Sequence, residues 1–246
     1  MGTVKVQFKR SSEWKYIEPI VPASKALPDW YKNSKVTWGN GKPYENAEGG
    51  KSFKVCPAIL DTLTQGYIVP LWADICVEPS GEFINGVSVP RFRWNPAMPD
   101  GESFMVGFPL GATEGMPMVE KSNLPVWKIN SPWLLETPKG YSTLQLPPLN
   151  NRDSRFEVVS GIICTDEYPS YINIPFIWTA PPDYEGVLLK GTPFAQIIPF
   201  KREVFQQELG FITPEEAAEE EAKVAITNTA VHSGYSRFFR KISLSK

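Results

Sequence analysis

Residues 158–200, VVSGIICTDEYPSYINIPFIWTAPPDYEGVLLKGTPFAQIIPF, leave little freedom in what this chain can become. Runs of β-branched and aromatic residues (Val158, Val159, Ile162, Ile163, Tyr171 to Phe176, Trp178, Val187 to Leu189, Phe194 to Phe200) are cut every few positions by Gly, Pro, Asp and Asn. That pattern specifies short strands and turns, not helices. Neighbouring strands with alternating apolar sets must share one buried face, so Ile162, Ile163, Ile172, Ile174, Phe176, Ile197 and Ile198 are expected in the core.

Composition agrees with a β-rich body. The 24 prolines run from Pro19 to Pro214 without forming a low-complexity tract, which favours turns and edge strands over long helices. A net charge of −2 gives no whole-chain attraction to nucleic acid or to an anionic membrane. No run of apolar residues approaches the length of a membrane-spanning helix. The first ten residues alternate Val4, Val6 and Phe8 with polar residues, unlike a secretory signal, and are expected to form a first strand. Cys56, Cys76 and Cys164 lack C-x-x-C spacing and are expected to be reduced and mostly buried thiols. Synthesis and retention in a reducing cytoplasm follow from these features as an expectation.

Along the chain, Pro19, Pro22 and Pro28 make residues 10–50 an extended arm with one helical turn at Leu27–Tyr31, followed by a polar Gly-rich loop at 39–51. Pro57 starts a short helix that Gly66 ends. One strand is expected from Tyr67 to Val77, hairpin pieces around Asn85-Gly86 and Arg91–Trp94, and strands at Val126–Asn130, Trp133–Thr137 and Tyr141–Leu146. After Phe200 a short helix over Lys201–Gly210 is expected. A longer one opens at Thr213-Pro214-Glu215-Glu216, which has the Thr, Pro and Glu of a capping box. The division implied is a β domain over 1–210 and a helical, then basic and aromatic, extension over 211–246. Trp14, Tyr16, Trp30, Tyr235, Phe238 and Phe239 on the two extensions would form an apolar surface larger than soluble monomers carry, so partner chains are expected to cover some of it.

A single histidine, His232, excludes the zinc hydrolases, the two-His-one-carboxylate oxygenases and His-dependent nucleophilic hydrolases. No phosphate-binding loop or dinucleotide fingerprint is present. The acidic pairs Asp166 with Glu167 and Asp183 with Glu185 fall in turns, where solvated or turn-capping roles are the usual ones. No cofactor and no metal site are expected.

Two resemblances bear on the rest. PASKALPDWYK, KVCPAILDTLTQGYIVPLWADI, NSPWLLETPKGYSTLQLPPLN, GIICTDEY, INIPFIW and KGTPFAQIIPFKRE resemble an uncharacterised family of tailed-phage proteins, chiefly from phages of marine bacteria. Gly161 to Tyr168, the strand Tyr171 to Phe176, and Gly191 to Ile198 are similar to two motifs of the dUTPase and dCTP deaminase superfamily, a β-clip fold that forms trimers. The resemblance implies a single β-clip-like or jelly-roll-like β domain, a water-positioning role for Asp166, sugar stacking for Tyr168, and Gln196 on a ligand-binding strand. The superfamily's Arg-Ser-Gly phosphate motif is replaced here by Tyr141-Ser142-Thr143-Leu144, and its Gly-rich C-terminal arm by the Glu-rich segment. The expectation is therefore a non-enzymatic phage structural protein, such as a virion decoration, neck or tail accessory subunit. It would bind other virion proteins or copies of itself, as a homo-oligomer (a trimer), with no nucleic acid and no membrane, first in the host cytoplasm and then in the virion. The alternative is a phage-encoded nucleotide-binding or nucleotide-processing protein.

Overall fold

The computed structural model describes residues 4–39, 49–94, 105–122, 124–168 and 170–229. The loop tip at 40–48, His232, Tyr235, Phe238 and Phe239 lie outside them. The protein is mainly β, with several antiparallel sheets and a C-terminal helix, and it divides into two compact units: 1–23 with 66–202, and 24–65 with 203–246.

In the first unit, strands β1 (Gln7–Lys9), β9 (Val126–Glu136), β13 (Ser170–Trp178) and β11 (Phe156–Val158) lie side by side in that order, and β8 (Met105–Gly107) also pairs with β9. A second sheet has the order β12 (Gly161–Ile163), β10 (Tyr141–Leu146), β15 (Pro193–Lys201), β5 (Tyr67–Pro70), β2 (Val21–Pro22). A third joins β14 (Gly186–Leu188) to the hairpin β6 (Ile75–Ile84) and β7 (Val87–Trp94). Helix α3 (Pro117–Ser122) belongs to this unit as well. The stretch 158–200 thus feeds all three sheets rather than forming one.

One apolar cluster draws on every sheet. Phe176 of β13 lies edge-on to Phe194 of β15, with ring centroids 5.4 Å apart, and Phe156 of β11 is 4.7 Å from Phe194. Phe92 of β7 meets Trp178 at 5.3 Å and Phe176 at 5.8 Å, and Trp72 stacks on Trp94 at 5.1 Å. Rings of this size dominate the apolar area a core removes from water, and their edge-to-face contacts add to it. Ile172, Ile174, Phe176 and Ile197 are buried as their alternation requires. Ile163 and Ile198 are only half-buried, and Ile162 is exposed, because β12 is the last strand of its sheet and no neighbouring strand covers it.

Several elements depart from the sequence expectation. The strand drawn from Tyr67 to Val77 is broken at Leu71–Asp74, so that β5 and β6 serve different sheets. Val126 to Glu136 is one strand, and its pairing with β13 slips between Tyr171 and Asn173, opposite the stretch containing Pro132, which has no N–H to give the ladder. The expected helix over Lys201–Gly210 does not form: β15 runs through Lys201, and 202–213 has neither helix nor strand. A ten-residue helix without a packing face is too short to sustain itself in water. The thiols are not mostly buried. Cys56 is half-buried, and Cys76 and Cys164 are exposed, Cys76 because it occupies the outward position between buried Ile75 and Val77 on β6.

Two glycines take backbone shapes that other residues resist. Asn85 (φ 48°) and Gly86 (φ 80°) make the tight turn of the β6–β7 hairpin, as Asn-Gly dipeptides do. Gly66 (φ 66°) precedes β5 at a point where a β-carbon would stand 2.0 Å from the Ile197 carbonyl oxygen.

In the second unit, helix α1 (Asp29–Asn33) buries Tyr31, whose hydroxyl donates to the Lys54 carbonyl at 3.1 Å. The ammonium of Lys54 donates in turn to the carbonyls of Lys32 (2.7 Å) and Ser34 (2.8 Å), closing that turn. Strands β3 (Thr37–Gly39) and β4 (Gly49–Lys51) pair, and α2 (Pro57–Thr64) begins with Pro57 at its first turn. Helix α4 (Pro214–Thr229) is the one helix longer than three turns among the described residues. Its capping box is formed in both directions: the Glu216 N–H donates to Thr213 Oγ1 at 3.2 Å, and the Thr213 N–H donates to Glu216 Oε2 at 2.7 Å. None of the described residues is in a helix long and apolar enough to cross a membrane.

Candidate functional site

Asp166 sits in the turn after β12, where the N–H groups of Glu167 and Tyr168 both donate to the Cys164 carbonyl. The turn swings the Asp166 carboxylate inward until its side chain is 1% exposed. Its Oδ2 accepts from the Gly140 N–H at 2.7 Å and from Arg202 Nη2 at 2.6 Å, and its Oδ1 accepts from Arg202 Nη1 at 2.7 Å. Arg202 follows β15 directly. Its own N–H donates to the Gly140 carbonyl at 2.8 Å, and Nη1 also reaches the Tyr141 carbonyl and Ser142 Oγ. The fork of Arg202 holds the carboxyl well below the ordinary aspartate range, against the opposing effect of desolvation, with the Gly140 N–H adding to the shift. Asp166 likewise raises the guanidinium. Three separate segments, the β9–β10 turn, the turn after β12 and the end of β15, are stapled together through this pair. A carboxylate committed to three donors is a poor proton acceptor and has little capacity left to orient a water.

Gln196 performs a different task. It is buried on β15, and its Oε1 accepts from the Leu149 N–H at 2.9 Å, fixing the loop that follows β10. Leu146, opposite Gln196, and Tyr141, opposite Lys201, mark the two ends of β10. At about 3.3 Å per residue, some 17 Å of strand separates the Gln196 end from the Asp166 end. Tyr168 is exposed, with its backbone N–H held in the turn. The structure does not gather Asp166, Tyr168 and Gln196 into one cleft. Of the interface residues expected from sequence, Tyr16 and Trp30 are exposed, while Trp14 is half-buried and packs on the core.

The concave surfaces lie elsewhere in the first unit. A cavity of about 360 Å³ is floored by Phe156, Val158 and Phe194 and edged by Pro147 and Pro148. A second, of about 490 Å³, runs along Ile177 to Pro182 with Met118 and Leu124. Glu157 and Thr179 border both. Glu157 pairs with Arg152 at 3.0 Å at the rim, a largely exposed ion pair of little energetic weight. The loop beside it is held by Arg155, which donates from its backbone N–H and Nε to Asp153 Oδ1 (both 2.9 Å) and from Nη2 to Oδ2 (2.6 Å). Burial pushes the Asp153 carboxyl up, yet the Arg155 hydrogen bonds leave it below its ordinary value. Both cavities have the apolar floor of a binding pocket. Their bordering carboxylates, Asp153 and Glu157, each have an arginine partner. Among the described residues no cluster of three or more His, Cys, Asp or Glu side chains is placed to hold a metal ion.

Neither Arg202 as the partner of Asp166 nor the cavities were foreseen from sequence. The one available signal for the first was a lone cation directly after the final strand of the body.

No known protein family matches the chain, and no curated protein matches it. Among solved structures, the chain is similar to a point mutant of the dUTPase from phage phi11 of S. aureus, described for its coordination of a structural Mg(II) ion. The identity is 10%, with a TM-score of 0.33, over 85% of this chain and 96% of that one. A likeness of that size assigns no activity to this chain.

Proposed function

We propose that this chain is a non-catalytic structural protein of a tailed phage, an accessory subunit of the virion that works through its surfaces. The observation that carries the reading is the commitment of Asp166 to Arg202 and the Gly140 N–H: the acid that the dUTPase-like motif would use on water is spent on joining three segments of the fold. The phage setting comes from the resemblance of the chain's longer motifs to tailed-phage proteins.

Mass spectrometry of purified particles of the encoding phage tests it. The expected result is stoichiometric presence in the particle, together with no release of pyrophosphate from dUTP or dCTP in Mg²⁺ by the pure protein. Presence in infected lysate alone, or pyrophosphate release abolished by Asp166→Asn, would replace this reading with a nucleotide-processing one.

A further inference from the structure

Residues 203–212, EVFQQELGFI, follow the last strand of the body and carry five large apolar side chains into solvent. Val204 and Phe211 are fully exposed, Phe205 is 87% and Leu209 85% exposed, and Ile212 is 65% exposed. The root of this segment is fixed, because Arg202 is tied through its backbone and its side chain to Gly140 and Asp166. Helix α4 beyond it is exposed along its described face, apart from half-buried Ala217. The segment alternates: Phe205, Leu209 and Phe211 fall on one side of an extended chain, with Gln207 among them. That is the pattern of a strand with one covered face.

The same chain carries a site for such a strand. β12 ends its sheet; Gly161 has open space around it, and Ile162 is 66% exposed. Gly161–Ile163 has none of the Lys or Pro residues that usually protect a free edge. Strand addition to an open edge draws affinity from main-chain hydrogen bonds and specificity from alternate side chains. Two phenylalanines offer roughly 300–500 Å² of surface at the size typical of aromatic side chains. With Val204, Leu209 and Ile212 the segment approaches the ~800 Å² per partner of a standard interface. Donor and acceptor are on one chain, so identical copies complement one another.

We infer that residues 203–212 form an exchanged arm that pairs with the β12 edge of a second copy. This deepens the structural reading above by naming the chain's own copies as the partner.

The test uses the full-length chain with Cys56, Cys76 and Cys164 replaced by serine. Copies carrying Ile162→Cys are mixed with copies carrying Leu209→Cys under mild oxidation, and light scattering at micromolar concentration reports the mass of the unoxidised protein. The arm reading expects an oligomer and a disulfide-linked pair containing one copy of each kind. It also expects that Phe205→Asp with Phe211→Asp abolishes both while leaving the thermal transition of the body unchanged. A monodisperse monomer, an oligomer that survives the charged arm, or an oligomer without the mixed cross-link overturns it. A monomer found in purified virions would sink the arm and leave the virion reading intact. An arm-linked oligomer absent from virions would do the reverse.

Discussion

The guanidinium of Arg202 meets the carboxylate of Asp166 fork to fork, at 2.6 and 2.7 Å, across 36 residues of sequence. A bidentate, charge-assisted pair of this kind fixes geometry as well as adding energy. It determines where the chain leaves the β body and therefore where the C-terminal segment begins.

The pair makes stability depend on pH in a defined direction. The folded-state pKa of Asp166 is depressed below the value of about 4 of an unfolded aspartate. The contribution is therefore fully present above about pH 4 and is lost as pH falls through the lower, folded value. Asp166→Asn is expected to lower the urea midpoint at pH 7, and the gap to the unaltered protein should shrink between pH 4 and pH 2.5. An equal gap at both ends would show that the carboxylate's charge is not what the site uses.

Gly66→Ala tests the close approach of β5 to β15. Alanine would need a left-handed backbone and would put its β-carbon 2.0 Å from the Ile197 carbonyl oxygen, which belongs to the main chain and has no rotamer to change. Left-handed strain alone costs on the order of 1–3 kcal/mol, and the clash adds to it. A melting temperature within a degree or two of the unaltered protein would contradict the geometry.

What sequence reasoning reached was local. The capping box at Thr213 and Glu216, Pro57 at a helix start and the Asn85-Gly86 turn are decided by residues within four positions of one another, and each forms as expected. What it missed depends on residues far apart in the chain. Ile162 has the side chain of a core residue and the place of an edge residue, because only the strand order puts β12 last in its sheet. Lys201–Gly210 offers helix-compatible residues but no surface to pack on, and helix formation that short needs one. The role of Asp166 was misdirected by its motif: nothing near it in sequence announces Arg202, and a motif carries chemistry only where its carboxylate is left free to act.

Thr213→Ala should separate the cap from the body. Losing an N-cap hydroxyl costs a helix about 1 kcal/mol, and α4 has little packing to compensate, so the variant's helical circular dichroism signal should fall. The cooperative thermal transition of the β body should not move, because the core cluster draws none of its residues from α4. A shift of that transition by several degrees would show α4 to be part of the folding unit.

The strongest contrast is between two apolar residues of the same organising stretch. Phe176 is 1% exposed and touches Phe92, Phe156, Phe194 and Trp127, so its ring joins members of three sheets. Removing such a ring loses its transfer free energy and leaves a cavity that rigid neighbours fill only partly, and Phe→Ala changes of this kind cost about 3–5 kcal/mol. Ile162 is 66% exposed at the end of its sheet, and truncating it removes little buried area from the folded monomer. Ile162→Ala should stay within about 0.5 kcal/mol of the unaltered protein, as surface substitutions do. Urea denaturation at protein concentrations low enough to dissociate copies measures both. Equal losses at the two positions would mean that β12 is covered within a single chain, and would remove the open edge on which the exchanged arm depends.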